Sequence, residues 1–415
     1  MASPSEEEDF MSLAVKKDGI SFIPGFPNTE TLQPCSDMLL AASKAVLQPS
    51  TPLEVESLFK YGEAQGDKEF REELSKFLTS EYNSQVDSNN LFVTAGATNG
   101  LHLILSLLCE PTSPVFIEDP SYFIGIKLIR DDLKMDLVSV YCDEQGIVPT
   151  HLEQAICDYK NQSKGSHSKR FWAAVYLIPV FGNPTGWVYS PERCVELIHL
   201  ARKHDVLLIV EDVYNLIYYT DKCPPRLLAF DKPSDPDYAA GHVLSNATFS
   251  KIFAPSIRLG WIEGSRPLLS QLYNSNLSLS GGGLSHCMAR LMTQVISSGA
   301  LTQHVIQLRD TYKERMSALC DCIDQLNITG WSYTIPKGGF FLWLVFPPHI
   351  DAAQFANLAS QHSVFFLPGS WCSAQGSYKN CARLSFSYIT LQEIPVGVHR
   401  LAAAYRLFTS TTTTS

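Results

Sequence analysis

Between Thr248 and Trp261 the chain reads TFSKIFAPSIRLGW, and the lysine within it is the residue best placed to do chemistry. Lys251 follows an apolar stretch and the hydroxyl residues Thr248 and Ser250, and Arg258 stands seven residues later with few other charges nearby. An amine attacks an aldehyde only as its neutral form, and poor solvation next to a cation lowers the pKa that controls that form. Lys251 is therefore a Schiff-base candidate. Read alone, the segment also fits a surface lysine beside a turn.

Such a lysine needs a scaffold, and the flanking sequence supplies one. Short β-branched or apolar runs alternate with amphipathic stretches, the pattern of an α/β domain with a mainly parallel sheet. Leu91 to Val93 precede the turn Thr94-Ala95-Gly96 and a helical run from Thr98 to Leu108. Val115 to Ile117 close at Glu118-Asp119-Pro120, Trp172 to Leu177 lead into a loop, and Ser190-Pro191 open a helix to Lys203 ahead of the buried strand Val206 to Val210. From about Ser298 the texture changes to a long helical stretch, Leu301 to Leu326, then Gly338-Gly339-Phe340 and alternating strands, which reads as a second, smaller α+β domain. Arg309 and Arg315 are expected on the solvated face of that helix.

Composition narrows the class. With 415 residues, 45% of them hydrophobic, the chain can build one large or two ordinary domains. A formal charge of −10 argues against broad attraction to nucleic acid or an anionic membrane. The longest apolar runs, such as Phe340 to Phe346, fall far short of the roughly 20 residues that span a bilayer. Eleven cysteines without a CxxC pair imply neither a disulfide framework nor a metal site. The acidic start, MASPSEEEDF, lacks the basic entry of a secretory signal, so a cytoplasmic setting is expected. Without a secretory route, the Asn-x-Ser/Thr triplets at Asn161, Asn246, Asn276 and Asn327 read as chance.

Other segments stand in order around Lys251: KYGEAQG (Lys60 to Gly66), Gly96-Ala97-Thr98, EDPSY (Glu118 to Tyr122), PVFGNPTG (Pro179 to Gly186), EDVY (Glu211 to Tyr214) and CARLSFS (Cys381 to Ser387). Together, from Ile20 to about Leu407, they resemble the class I/II aminotransferases, pyridoxal-phosphate-dependent enzymes of fold type I. The resemblance implies a large cofactor-binding α/β domain over residues 55–295 and a small domain from residues 1–54 with 296–408. Residues 409–415 (TSTTTTS) are expected to be a disordered tail.

The same resemblance assigns roles. Gly96, Ala97 and Thr98 at a helix start, the hydroxyls of Thr248 and Ser250, and Arg258 would hold the cofactor phosphate. Tyr122 would stack on the pyridine ring, and Asn183 and Tyr214 would contact its phenolic oxygen. Gly182 departs from the polar residue often found there and is expected to widen the site. A carboxylate against the ring nitrogen keeps that nitrogen cationic; the family's spacing from Tyr214 gives Glu211 where Asp is usual. Neighbouring strand residues point to opposite faces, so either Glu211 or, with an adjusted strand end, Asp212 can reach the ring, and ungapped register favours Glu211. Arg383 would pair with the substrate's α-carboxylate, and Gly25 belongs to a segment closing over the substrate. Tyr61 would reach the phosphate of a neighbouring subunit, making a homodimer with a shared site.

The activity implied is ping-pong transfer of an amino group between an L-amino acid and a 2-oxo acid. Phe22, Phe26 and Tyr61 hint at an apolar side-chain pocket, as for aromatic, kynurenine or 2-aminoadipate substrates. A β-lyase or an aminocyclopropanecarboxylate synthase-like enzyme would share these cofactor residues. A non-enzymatic cofactor-binding regulator would carry an N-terminal DNA-binding domain, for which the stretch before Ile20 is too short.

Overall fold

The computed structural model describes residues 19–48, 56, 58–162, 168–281 and 283–412. The acidic start and much of the stretch joining the first helix to Leu58 lie outside these residues.

An eight-stranded sheet holds the centre of the chain. Its strands are β2 (Leu91–Thr94), β3 (Val115–Asp119), β4 (Leu137–Asp143), β5 (Gly146–Ile147), β6 (Ala174–Leu177), β7 (Leu207–Glu211), β8 (Val243–Thr248) and β9 (Gly260–Gly264), in the order β2-β9-β8-β7-β6-β3-β4-β5. The middle pairings, from β8 through β7, β6 and β3 to β4, are parallel, whereas β9 runs antiparallel to both β8 and β2. Strands β2, β3, β6, β7, β8 and β9 are buried at every residue, because helices cover both faces of a parallel sheet. Continuous runs such as LLIV in β7 follow from that two-sided burial.

Eight helices matter for the site and its support: α1 (Thr29–Leu47), α2 (Lys68–Tyr82), α3 (Ala97–Leu108), α4 (Pro149–Gln162), α5 (Pro191–His204), α6 (His286–Ser297), α7 (Ala300–Leu326) and α8 (Glu393–Thr412). Local signals set their starts. Ser190 accepts a hydrogen bond from the backbone N–H of Arg193 with Pro191 at the first helical position, and Asn28 caps α1 by accepting from the N–H of Thr31. Helix α3 begins at Gly96, whose φ of 97° is a left-handed value that favours glycine.

The C-terminal part adds a three-stranded antiparallel sheet in which β13 (Cys381–Ser385) lies between β10 (Phe341–Val345) and β12 (Leu367–Pro368). Strand β1 (Ile20–Ser21) pairs in parallel with β11 (Val364–Phe365), which ties the first described residues to the C-terminal part. The long helix α7 buries Leu301, Val305, Leu308, Tyr312, Met316, Leu319 and Ile323 at helical spacing.

Two expectations are corrected here. Arg315 is buried, donating to Glu30 Oε2 at 2.6 Å and to the carbonyl of Ser387 at 2.8 Å, while Arg309 donates to the carbonyl of Leu216 and pairs with Glu81. Both arginines therefore tie α7 to neighbouring segments instead of lining a solvated face. The tail expected from Thr409 is helical to Thr412, because Thr409 and Ser410 return their hydroxyls to carbonyls three and four residues back; residues 413–415 lie outside the described residues.

Candidate active site

The C-terminal ends of β2, β3, β6, β7 and β8 open onto a cavity of about 670 Å³, the edge where ligands bind in open parallel sheets. Its wall includes Ala97, Thr98, Tyr122, Asn183, Glu211, Tyr214, Thr248, Ser250, Lys251 and Arg258. Residues from distant parts of the sequence thus converge on one space. Gly25, Gly96, Arg383 and Tyr61 do not line it.

Lys251 follows β8 by three residues and donates from Nζ to the carbonyl of Gly25 at 2.7 Å. Burial first, then the nearby Arg383 and Arg258 guanidinium groups, lower its pKa from 10.5 to about 8, with Glu211 pulling the other way. The neutral amine is thereby far more accessible near neutral pH than for a solvated lysine.

The residues expected to hold a phosphate gather at the start of α3. Arg258 donates from Nη2 to the carbonyl of Ala95 at 3.1 Å and from Nη1 to that of Pro255 at 2.9 Å. A Cβ on Gly96 would come within 2.7 Å of Arg258 Nη2, so glycine is needed for that approach as well as for its φ. Thr248 Oγ1 and Ser250 Oγ lie 2.9 Å apart, facing the same cavity. A helix N-terminus, two hydroxyls and a guanidinium are the donors that a phosphate dianion requires.

The adjacent carboxylates separate cleanly. Glu211 lines the cavity and its Oε1 accepts from Asn246 Nδ2 at 2.7 Å. Asp212 turns to the opposite face, where Oδ2 accepts from Ser245 Oγ at 2.5 Å. Desolvation chiefly raises Glu211 from 4.5 to about 8, partly opposed by the Asn246 hydrogen bond; the Asp212 charge raises it further and Lys251 lowers it. Tyr214 is buried and raised mainly by desolvation, and Tyr122 is pushed up to about 12 by burial and the Glu211 charge.

Arg383 is buried behind the cavity. Nη1 donates to Asn183 Oδ1 at 3.0 Å, Nη2 donates to the carbonyl of Ile23 at 2.5 Å, and the guanidinium lies 4.3 Å from the centroid of the Phe341 ring. Gly25 lets the N-terminal segment pass Phe341, whose ring a Cβ there would meet at 2.7 Å.

Three expectations about the pocket change. Gly182 is absent from the lining, and a Cβ on it would face Thr185 Oγ1 at 3.1 Å, so it does not widen the cavity. Phe22 is fully buried in the core and Tyr61 is 85% exposed, which leaves Phe26 as the lining residue of that trio. The rest of the apolar wall comes from α1, through Leu32, Cys35 and Leu39, with Ile124, Leu128, Ala254 and Tyr388. Sequence reasoning missed α1 because its direction is set by packing on α6 and α7. It also missed Asn246, which the sequence presents only within a sugar-acceptor triplet and which is fully buried.

The chain is similar to known proteins over nearly its whole length. The model of the family Aminotransferase class I and II matches residues 26–401. An uncharacterized aminotransferase of Saccharolobus solfataricus is 30% identical over 399 residues, 96% of this chain and 94% of that protein. Aromatic-amino-acid aminotransferase 1 of Thermococcus litoralis is 25% identical over 96% of this chain and 90% of its own. Among solved structures, the Pyrococcus horikoshii kynurenine aminotransferase, in complex with PMP, kynurenine as substrate and KYA as product, superposes with a TM-score of 0.81 at 25% identity, covering 95% of this chain and 93% of that one. The chain belongs to the class I and II aminotransferase family and is a pyridoxal-phosphate-dependent aminotransferase of fold type I.

Proposed function

We propose that this enzyme moves an amino group between an L-amino acid with a large uncharged side chain, aromatic or kynurenine-like, and a 2-oxo acid, by a ping-pong sequence. The observation that carries this reading is the charge inventory of the cavity. Its charged lining residues are Lys251, Glu211 and Arg258, and Arg383 stands in the wall behind. Each has a task at the cofactor or the α-carboxylate, so among the described residues no cation remains for a second substrate carboxylate. Leu32, Leu39, Ile124, Leu128 and Phe26 instead offer an apolar surface to a large side chain. That disfavours 2-aminoadipate relative to an aromatic amino acid.

The cofactor, when bound, supplies an electron sink for the carbanion left at the substrate Cα. The start of α3, Thr248, Ser250 and Arg258 would hold its phosphate. Tyr122 would stack on the ring, Asn183 and Tyr214 would donate to its phenolic oxygen, and Glu211 would face the ring nitrogen. Arg383 would orient the substrate carboxylate, exchanging its bond to the Ile23 carbonyl for a stronger charge-assisted pair. Lys251, freed from the Gly25 carbonyl, would take the proton from the substrate Cα and return it to the carbon that receives hydrogen. A cytoplasmic setting belongs to the same proposal, since the eleven unpaired cysteines would stay reduced there.

The test is direct. The purified protein mixed with pyridoxal phosphate should develop a visible absorption band that Lys251→Ala removes. Phenylalanine and kynurenine should convert the cofactor to its amino form faster than 2-aminoadipate or aspartate does. Ammonia and pyruvate released from a cysteine conjugate, with no exchange onto an oxo acid, would instead mark a β-lyase.

A further inference from the structure

Strand β8 sorts the two carboxylates that end β7. Ser245 and Asn246 point to opposite faces, as consecutive strand residues must, and each binds one acid: Ser245 holds Asp212 on the far face and Asn246 holds Glu211 on the cavity face. Asn246 is the direct register partner of Glu211 across the parallel β7–β8 pairing.

The amide orientation at Asn246 is fixed by its neighbours. Its Nδ2 donates to Glu211 Oε1 at 2.7 Å and to the carbonyl of Ala97, the first residue of α3, at 2.8 Å. The Ala97 carbonyl can only accept, so turning the amide over would set oxygen against oxygen there. Asn246 Oδ1 then faces away, buried and without a partner, toward Gly100, where a Cβ would come within 2.0 Å of it. A fully buried strand position is ordinarily filled by an apolar side chain, and this one instead spends both amino protons on the acid and the phosphate-binding helix.

We propose that Asn246 is a positioning residue for the transfer reaction. It pins the carboxylate of Glu211, leaving Oε2 as the oxygen for the ring nitrogen, and it couples that carboxylate to the phosphate cradle at the start of α3. Gly100 is the space that lets the amide sit there. The inference rests on the cofactor reading given above. It explains how a glutamate can serve here, because a longer side chain with an extra rotatable bond needs a second anchor to present its carboxylate in one place.

Asn246→Leu and Glu211→Gln, made singly and together in the full-length protein, test it through two readouts other than turnover. These are the dissociation constant for pyridoxal phosphate and the pH titration of the bound cofactor's visible band. Loss of a hydrogen bond to a charged acceptor predicts roughly ten- to hundredfold weaker cofactor binding for each single variant, with a shifted titration. The double variant should lose less than the two single losses combined, since no carboxylate is left to position and only the bond to Ala97 remains to be lost. Gly100→Ala, which suits a helix, should displace the amide and shift the band in the same direction, and it decides the matter if Asn246→Leu does not fold. A cofactor-binding wild type whose Asn246→Leu and Gly100→Ala forms bind and titrate as it does overturns this inference alone, as does a double variant whose losses add. A wild type that forms no band overturns the site reading itself.

Discussion

At the scale of single residues, the site sets two buried groups against each other. Glu211 is raised to about 8 and Lys251 lowered to about 8, each chiefly because burial penalises its charged form. The signs give a test on the cofactor-free protein. Glu211 titrates higher folded than unfolded, so its stabilising contribution is full below pH 4.5 and is lost as pH rises to about 8. Lys251 titrates lower folded than unfolded, so its contribution is full above pH 10.5 and is lost as pH falls to about 8. The pair therefore places a stability minimum near pH 8. Thermal midpoints of the cofactor-free protein between pH 5 and 8 should fall with pH, and Glu211→Gln should flatten that fall by an amount on the order of a few kcal/mol. An unchanged slope in the variant would show that Glu211 does not carry the effect. Glu118, raised to about 7 by desolvation against its bonds to Tyr189, Ile178 and Ser121, adds to the same slope.

At the scale of elements, the arginine network of α7 holds the N-terminal segment that borders the site. Arg315 joins Glu30 in the first turn of α1 to the carbonyl of Ser387, and the hydroxyl of Ser387 donates to the carbonyls of Pro24 and Phe26. The partners differ in burial: the Arg315 side chain is 2% exposed and that of Glu30 is 69% exposed. Removing the buried member leaves the Ser387 carbonyl without its guanidinium donor and opens a void, whereas removing the exposed one loses a partly screened pair. Arg315→Ala should therefore cost about 3 kcal/mol and Glu30→Ala about 1 or less, read from denaturation midpoints. Equal losses would show that the ion pair, not the buried guanidinium, does the holding. This network was invisible in the sequence because a charged residue on a long helix most often faces water. Strands β2, β3 and β7 were legible, since two-sided burial writes itself as an apolar run ending in a turn or an acid. The pairing of Ile20 with Val364 was not, because two-residue strands carry no periodicity and their register is set by distant packing. Lys251, Glu211 and Asn183 were legible through motif order, while the α1 wall and Asn246 depended on where the elements packed.

At the scale of the whole molecule, two pairs of exposed apolar side chains precede segments that meet near Arg258. Phe59 and Tyr61 are 71% and 85% exposed, and Leu277 and Leu279 are 57% and 58% exposed. The segments that follow the two pairs meet, since a Cβ on Gly62 would strike His286 and one on Gly283 would strike the Glu63 carbonyl. Ser285, two residues past Gly283, donates to the carbonyl of Arg258, which brings this meeting point to the residue that would hold the phosphate. Exposed apolar side chains of this size suit an interface, and a two-fold contact would present the same ones from both copies. A homodimer in which Tyr61 reaches the other subunit's phosphate would account for an exposed tyrosine that does not line the Lys251 cavity of its own subunit. Light scattering at micromolar concentration should give twice the monomer mass. Replacing Leu277 and Leu279 together with Arg should yield monomers that bind the cofactor poorly. Tyr61→Phe should leave the dimer intact and weaken cofactor binding by roughly tenfold, the value of one hydrogen bond to a phosphate. A dimer whose Tyr61→Phe variant binds the cofactor unchanged would keep the interface and remove the tyrosine from the site, whereas a wild type that stays monomeric would remove both.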